Sequence, residues 1–554
     1  MSSEPREEPL PKRRKIEFAS DAKPLASFCP SQRVSSRQSK STHVKAPTNG
    51  NPQTKLSRPT SNERPRNIQK ECQEVVDLTA NEPDAKDVND TGISDEKPVA
   101  ASSASGSTIQ SIPSPFKLLK IKDLSTKDNI DTIGIQDILG DPMLKEVWLF
   151  NYMHNIPWVM SQFDPDIRPH LQVNFVHGWK NDNPARTQME EDAKSFPGVR
   201  SIAAYLPEMF GTHHTKMMIL FRHDDTAQII IHTANMIPVD WDLLTNSAWL
   251  SPLLPLKTPC PKPSPIGENF ESALISYLLS YGKTQMGSLV TSLSQFSFSS
   301  IRAIFIGSVP GRHDVYKSKF GWPNLARELA KIPGSDKAKI FSQCSSIATF
   351  GVKDTWLSPV FFHTLSKSKN KKDISKPSFG IIWPTVKEIR ESLDGYNSGS
   401  SIHLKTQSAQ HQKQLEYVKP LLHRWSRAEE SASRDKVAPH VKTYIRYAEG
   451  MEKIDWALLT SANISKQAWG EAQKDGKVRV CSYEAGVLVY PSLWDEKGAP
   501  QMEMKPVLEE DMPKEDGKVG MRVPYGLPPK KYEKEDEPWS RDKAHMVADR
   551  MGRY

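Results

Sequence analysis

The feature that most constrains this chain is a local unit that occurs twice. Each copy has a His, a Lys two residues later, an apolar run, a turn, a second apolar run and then an Asn. The six residues are His214, Lys216 and Asn235 in the first copy and His440, Lys442 and Asn463 in the second. The two copies start 226 residues apart, so we expect the chain to fold as two similar halves.

The spacing inside each copy predicts that its polar side chains gather in one place. Residues i and i+2 of a strand point to the same face, so each His projects together with its Lys, and the Asn ends the neighbouring strand. A pseudo-twofold would bring both sets to one pocket. Lys and Asn side chains suit phosphate oxygens, while one His attacks phosphorus and the other protonates the leaving oxygen. A single His-x-Lys is usually a surface pair, and only the matched duplication favours chemistry.

The sequence around these units predicts alternating strands and helices, hence an α/β fold. We predict helices at 139–153 and 271–282 from their apolar spacing. Predicted strands fall at 171–178, 200–206, 216–223 and 227–235, and then at 300–311, 379–385, 441–448, 455–463 and 485–492. A polar seam at 288–300 is the candidate junction, so we expect domains at 111–295 and 296–545.

Residues 1–110 are rich in Ser, Pro, Lys, Asn and Asp, which predicts a disordered arm. The basic cluster at 11–15 has the form of a nuclear import signal, and its alternative is an ordinary solvated charge run. Val75, Val76 and Leu78, with acidic flanks, could add as a strand to a partner's sheet edge. This stretch resembles a SUMO-interacting motif, and its alternative is a chance apolar cluster.

Composition excludes several other classes. The net charge is +8, a mild excess that fits an anionic partner. Five scattered Cys without a CxxC pair disfavour a zinc site and fit a reducing compartment. The sequence has no apolar run of membrane-spanning length and no secretory signal. We therefore expect an intracellular protein, located in the nucleus, with no membrane contact and no metal or other cofactor.

The duplicated units resemble the paired HKD motifs of the phospholipase D superfamily. The ordinary motif has Asp five residues after Lys, where this chain has Phe221 and Tyr447. The variant with Asn is that of the tyrosyl-DNA phosphodiesterases. The resemblance of this chain to that family covers roughly residues 112–540. It includes the segments FGTHHTKMM, IGSVPGR, TSANISK and SYEAGVL, which begin at 210, 306, 460 and 482. It implies two α-β-α sandwich domains of the phospholipase D type, related by a pseudo-twofold.

The resemblance also implies residue roles. His214 would be the nucleophile that forms a phosphohistidine, and His440 would be the general acid and then the base. The Lys and Asn residues of both sets would hold the transition-state oxygens. Glu484 matches a carboxylate that orients a catalytic His, and a second orienting position, usually Gln, falls at Asn246. The expected reaction is hydrolysis of 3′-phosphotyrosyl links at DNA ends carrying a topoisomerase I peptide, with related 3′ adducts, by a monomeric repair enzyme.

Further positions match DNA contacts of the family. Phe210 aligns with an aromatic that stacks on a base, and its alternative is a core Phe. The phosphate contacts fall at Ser345, Ser346, Ser465 and Lys466. Thr349 keeps the hydroxyl of a family Ser, whereas Arg541 replaces a Trp found in animal members.

Other residues and other functions remain as alternatives. We interpret His213 and His232 as structural or core residues, and the basic loop 366–376 as a solvated insertion rather than a DNA contact. One alternative is a general nuclease or lipid phosphodiesterase of the same superfamily, but it does not explain Phe210 or the nuclear-type arm. A non-catalytic DNA-end binding protein would predict that one copy has degenerated, yet both copies are intact.

Overall fold

The structure is a computed structural model that describes residues 110–259, 264–370, 374–426 and 434–554. Nearly all of the predicted arm, with its basic cluster and its Val-Val-x-Leu stretch, lies outside these residues. Ala101–Tyr554 forms one unit. Within the described ranges, no helix is long and apolar enough to cross a bilayer.

The first half of the described chain is built on an eight-stranded sheet. Its strands are β1 Phe116–Leu118, β2 Leu144–Phe150, β3 Gln172–His177, β4 Val199–Ala203, β5 Met217–Arg222, β6 Thr226–His232, β7 Ser247–Leu250 and β8 Leu254–Pro255. Its helices are α1 Ile135–Leu139, α2 Ile156–Gln162, α3 Pro184–Lys194, α4 Pro238–Asp242, α5 Pro265–Leu279 and α6 Lys283–Leu293.

The second half is built on a nine-stranded sheet with two small sheets beside it. Its strands are β9 Ile304–Ser308, β10 Gly311–Asp314, β11 Lys339–Gln343, β12 Ser346–Ile347, β13 Ser378–Ile382, β14 His403–Leu404, β15 Leu422–His423, β16 Thr443–Tyr447, β17 Ile454–Thr460, β18 Glu471–Ala472, β19 Lys477–Val480, β20 Glu484–Val489, β21 Glu503–Val507 and β22 Lys518–Arg522. Its helices are α7 Gly321–Leu329, α8 His363–Leu365, α9 Val386–Arg390, α10 Ala409–Val418 and α11 Lys466–Trp469.

The two large sheets have the same topology. The first runs β4-β3-β2-β5-β6-β7-β1 and the second β15-β13-β11-β16-β17-β20-β9. The first three strands of each are parallel, and the later neighbours are antiparallel. Each His-x-Lys directly precedes β5 or β16, and each Asn follows β6 or β17. The duplicated α/β fold predicted from the repeat is therefore present.

One sequence prediction is wrong. The run at 139–153 was predicted to be a helix, but its centre is the strand β2, between β3 and β5. The cause is burial, because a central strand that is covered on both faces is apolar at consecutive positions. Such a run also satisfies helical spacing, and its β-prone Val147, Trp148 and Phe150 favour the strand once neighbours are available.

Apolar side chains of both halves pack into one cluster. It includes Phe270, Leu274 and Tyr277 of α5 together with Phe305 of β9 and Val487 of β20, all buried. Helix α5 thus belongs to the first half by sequence and packs on the second sheet. This shared core fixes the halves against each other, which the active centre requires because each half supplies part of it.

Candidate active site

Each His-Lys segment lies in extended backbone against the opposite half. His213 forms an isolated bridge with Tyr483, just before β20, and Pro439 forms the equivalent bridge with Thr245, just before β7. The next residue of the chain in each segment is the repeated His. The groups that hold each His therefore come from the other half of the molecule.

His214 is held by both main chain and side chains of the second half. Its backbone N–H donates to the Tyr483 carbonyl over 2.9 Å, and its Nδ1 lies 2.9 Å from Oε2 of Glu484. The Ser461 hydroxyl donates to the same carboxylate oxygen. This acceptor keeps the proton on Nδ1 and leaves the Nε2 lone pair free. Burial lowers the pKa of His214 while Glu484 opposes that shift, so the ring is neutral at pH 7.

His440 is held by the first half in the same way. Its N–H donates to the Thr245 carbonyl over 2.9 Å. Its Nδ1 lies 3.2 Å from Oδ1 of Asn246 and 3.1 Å from Oδ2 of Asp240. The Thr233 hydroxyl donates to the same Asn246 oxygen over 2.8 Å. Burial lowers the pKa of His440 to about 3, so this ring is also neutral in the free protein.

Asp240 was not singled out from the sequence. It is fully buried in α4, and its Oδ2 also accepts the backbone N–H of Asn235 over 2.6 Å. An acid in the first turn of a short helix is common and normally solvated, so the sequence carries no sign of this role. Asn246, by contrast, falls at the orienting position that the resemblance implied, and its shorter side chain reaches the ring.

The two lysines are fully buried, and each bonds to the main chain of its own His. Lys216 Nζ donates to the carbonyl of His214 over 3.3 Å, and Lys442 Nζ donates to the carbonyl of His440. Burial lowers the pKa of Lys216 to about 8. Burial and the charge of Lys216 also hold the pKa of Lys442 well below its ordinary value. Two buried amino groups whose protonated forms repel each other gain from a bound anion, as a phosphate-binding centre requires.

The two asparagines differ in their partners. Oδ1 of Asn463 accepts the backbone N–H groups of Ser345 and Ser346, each over 3.0 Å. These bonds leave the Asn463 amino group as a donor. Oδ1 of Asn235 is buried and has no hydrogen-bond partner among the described residues. The second half thus fixes its Asn through the backbone that bears the predicted phosphate contacts.

The remaining predicted contacts are exposed or partly exposed. Phe210 is 67% exposed, which rules out the core alternative. Ser465 caps α11 by accepting the N–H of Ala468 over 3.0 Å. Lys466 Nζ lies 2.7 Å from Glu471, and Thr349 Oγ1 lies 3.1 Å from Nε2 of His411. The DNA-binding roles of these residues stay predictions.

Behind the first His-Lys segment lies a buried polar network. Nδ1 of His213 lies 2.9 Å from the Asn151 carbonyl and its Nε2 lies 3.0 Å from the Tyr281 hydroxyl. The Thr215 hydroxyl bonds to that of Tyr277, which lies 3.0 Å from the Tyr281 hydroxyl. Burial lowers the pKa of His213 to about 3. Its position on the opposite face from His214 fits the structural interpretation.

His232 is also buried, as its packed-core interpretation predicts. Its ring centroid lies 5.6 Å from that of Trp241, and burial lowers its pKa to about 3. Across the described ranges, no three His, Cys, Asp or Glu side chains group closely enough to hold a metal ion.

The duplicated α/β fold, with a His-Lys-Asn set from each half at its centre, defines the class of this protein. It is a phosphodiesterase. Residues 115–533 match the family model described as tyrosyl-DNA phosphodiesterase. This match covers most of the chain, and the chain belongs to the tyrosyl-DNA phosphodiesterase family.

Individual relatives agree with this assignment. A tyrosyl-DNA phosphodiesterase 1 of Arabidopsis thaliana is 31% identical over 80% of this chain and 76% of its own length. A probable tyrosyl-DNA phosphodiesterase of Schizosaccharomyces pombe is 29% identical over 77% of this chain and 93% of its own. The crystal structure of the yeast tyrosyl-DNA phosphodiesterase, 23% identical, superposes with a TM-score of 0.59 and covers 77% of this chain and 99% of that chain. The predicted fold class is thereby confirmed.

Proposed function

We propose that this protein hydrolyses 3′-phosphotyrosyl links in DNA, such as those left by topoisomerase I, and related 3′ adducts. One observation carries the proposal. Nδ1 of each His is engaged by the opposite half, and neither Nε2 has a hydrogen-bond partner among the residues that the structure describes, while Lys216 and Lys442 are buried. The names of the relatives support the substrate.

The first step forms a covalent intermediate. Nε2 of His214 attacks phosphorus, the bond from phosphorus to the tyrosine oxygen breaks, and His440 gives that oxygen a proton. His440 is neutral in the free protein because burial lowers its pKa to about 3. A bound phosphodiester anion favours its protonated form. The phenol, with a pKa of about 10, needs only modest acid assistance.

The second step resolves the phosphohistidine. After the tyrosine takes its proton, His440 is neutral again and accepts a proton from water. The hydroxide attacks phosphorus, the bond to Nε2 of His214 breaks, and a 3′-phosphate end is released. Lys216, Lys442, Asn235 and Asn463 would bind the non-bridging oxygens throughout.

We expect this cycle to need no metal ion, because the two lysines supply the positive charge at the phosphate. The test uses a 5′-labelled oligonucleotide with a 3′-phosphotyrosyl end, incubated with the protein in excess chelator. A 3′-phosphate product, identified by gel mobility and by its sensitivity to a phosphatase, is expected.

A His214→Ala variant with unchanged thermal unfolding is the control and should yield no product. A 3′-hydroxyl product, or activity that vanishes in chelator and returns with magnesium, would contradict the proposal. Cleavage within the oligonucleotide instead of at its 3′ adduct would favour the general nuclease.

We further propose that the protein acts in the nucleus as a monomer, with domains at 111–295 and 296–545. Helix α6 ends at Leu293, which supports that boundary.

Nuclear import would depend on residues 12–15, and SUMO-modified partners would bind through Val75, Val76 and Leu78. A fluorescent fusion that lacks residues 1–110 should lose nuclear accumulation while the purified truncation keeps its turnover on short oligonucleotides. A large loss of that turnover would count against the disordered-arm interpretation.

A further inference from the structure

The second half of the described chain carries a groove at one end of its large sheet. Two cavities, of about 440 and 260 Å³, adjoin there, since Pro420 and Lys531 line both of them. Their walls come from α10, from the starts of β11 and β13 and from the segment 528–534. We call this surface the distal groove. None of its lining residues belongs to the His-Lys-Asn sets or to the predicted DNA contacts.

The distal groove is remote from the active centre. Lys339 and Ser378, the first residues of β11 and β13, line it. Ser345, just beyond the other end of β11, donates its N–H to Asn463 of the second His-Lys-Asn set. The strand alone separates these two ends by about 13 Å, at about 3.3 Å per residue. A peptide-sized molecule in the distal groove therefore leaves the active centre open.

The floor of the groove is apolar. Phe341 is 6% exposed, and its ring meets that of His423 edge-on with the centroids 5.0 Å apart. Phe379 stacks on Phe362 with the centroids 4.3 Å apart. Further apolar lining comes from Leu415, Pro420, Met451 and Pro529. Such a floor suits aliphatic side chains, which need only apolar contact, better than nucleotide bases, which need an exposed aromatic face.

The charge around this floor is positive. Four lysines line the groove, and none has a carboxylate within ion-pair distance in the described ranges: Lys339, Lys419, Lys531 and Lys534. The two carboxylates of the lining are already paired with cations outside it. Glu416 lies 3.1 Å from Lys413, and Glu533 lies 2.9 Å from Arg424 and 3.0 Å from Lys530. The groove therefore presents unpaired cations and attracts an acidic partner.

The main chain of Lys531 adds an unused pair of hydrogen-bonding groups. Its neighbours bond to the β15 strand, since the Arg424 N–H donates to the Lys530 carbonyl over 2.7 Å and the Tyr532 N–H donates to the Leu422 carbonyl over 3.1 Å. In antiparallel pairing the N–H and C=O of the residue between them point away from that strand, and neither has a partner in the part of the chain that the structure describes. An extended peptide can pair with such an edge through its own main chain, which a nucleic acid lacks.

We propose that the distal groove binds an extended segment of a partner protein in which acidic and apolar residues alternate. The apolar side chains would cover the floor, the carboxylates would meet the four lysines, and the main chain would pair with Lys531. Because the active centre stays open, the partner would be held while the enzyme is engaged with DNA. The inference goes beyond the proposed function and does not depend on it.

The test is direct binding of synthetic peptides, followed by fluorescence anisotropy. The probe is a labelled peptide of about ten residues that alternates Glu and Leu, the length of an added strand with its flanks. Two comparison peptides replace Leu by Ser or Glu by Lys. Each titration is repeated with a saturating unlabelled oligonucleotide, which occupies the basic active centre. The Glu-Leu peptide should bind in both conditions, about tenfold or more tightly than either comparison peptide, because burial and charge both contribute.

The variant is Lys531→Glu, and the matched control is Lys497→Glu, an exposed lysine of the second half outside the lining. Lys531→Glu should weaken binding of the Glu-Leu peptide by about fivefold or more and reduce its salt dependence, since an attraction at the rim becomes a repulsion. The control should bind as the native protein does. Both variants should keep native turnover, and saturating peptide should not inhibit it.

Several results would overturn the proposal. Equal binding of the Glu-Leu and Glu-Ser peptides, or an equal loss with Lys497→Glu, would leave only unspecific charge attraction. Displacement of the peptide by the oligonucleotide would place it at the active centre. Absence of peptide binding would also refute it. If Lys531→Glu instead weakens binding of a labelled DNA duplex, or dissociates a dimer seen by sedimentation, the groove contacts nucleic acid or a second copy of this chain. The proposed function stands in each case.

Discussion

The two halves place their histidines with the same backbone and different side chains. His214 donates its N–H to Tyr483 and His440 donates to Thr245, over 2.9 Å in both cases. The residue that follows each carbonyl acceptor in the chain then contacts Nδ1 of the same ring. That residue is Glu484 for His214 and Asn246 for His440. The duplication therefore conserved the geometry, whereas the electrostatics diverged.

Asn246 is neutral, so the carboxylate beside His440 comes from another element of the first half. Asp240 of α4, five residues after Asn235, supplies the carboxylate for His440. The equivalent position after Asn463 is Ala468. Each His thus has one carboxylate, on a strand in one half and on a helix in the other. The comparison teaches that a carboxylate lies at Nδ1 of both rings although different elements bear it.

The largest expected effects separate the two histidines. His214→Ala removes the proposed nucleophile and should lower turnover by at least about 10³-fold without trapping DNA. His440→Asn or His440→Arg removes the proposed base, so the second step should fail more than the first. Denaturing electrophoresis of 5′-labelled substrate should then show a protein-linked band for the His440 variants only. A band with His214→Ala instead would mean that the two roles are reversed.

The next effect tests the two carboxylates. Asp240→Asn should lower turnover by about 10²-fold or more, since the ring of His440 loses the acceptor that fixes its tautomer. It should also favour accumulation of the covalent species, whereas Glu484→Gln should slow its formation. Rapid-quench kinetics separates the two steps. Asp242→Asn, on the same short helix, is the control, and a loss equal to that of Asp240→Asn would point to damage of α4.

A double substitution sharpens the comparison further. Asp240→Ala combined with Asn246→Glu reproduces the side chains of the second half. There the position equivalent to Asp240 is Ala468, and Glu484 lies 2.9 Å from Nδ1 of His214. We expect the pair to recover about tenfold of the turnover lost by Asp240→Ala alone. A double-mutant cycle measures this coupling. Additive losses would show that the two halves are not interchangeable at this position.

The pH profile should shift when Glu484 is replaced. Glu484 raises the pKa of His214 against the lowering caused by burial. Without that carboxylate the pKa falls further, so Glu484→Gln should move the acid limb of kcat/KM to lower pH, by up to about one unit, while the maximum falls. The profile of the Asp242→Asn control should not move. An acid limb displaced to higher pH would contradict the assignment of the nucleophile.

The smallest expected effect concerns the residue between His and Lys in each copy. Thr215 bonds to Tyr277, whereas the equivalent Val441 is packed among apolar side chains. Thr215→Val should lower the free energy of unfolding by about 1 kcal/mol through the lost hydrogen bond, with little change in turnover. Chemical denaturation measures the first quantity and kcat the second. A large fall in kcat at unchanged stability would make Thr215 a positioning residue.

The sequence by itself determined the two His-Lys-Asn sets and most of the strands around them, whereas Glu484 was implied only by the family resemblance. These features depend on local pattern, because a strand's alternation and the end of the next strand place such residues together wherever the chain folds this way. The duplication provided the rest, since two equal units predict one shared centre. The assignment of His213 to the face opposite His214 followed from the same alternation.

Only the tertiary structure decided which side chains hold each ring. Asp240 resembles any acid at a helix start, and its role exists because α4 packs beneath a segment two hundred residues further along the chain. The strand β2 was likewise decided by its neighbours, because β3 and β5 offer hydrogen bonds on both edges of an apolar run that also fits a helix. Local sequence fixes what a segment can do, but partners brought from the other half select among those possibilities.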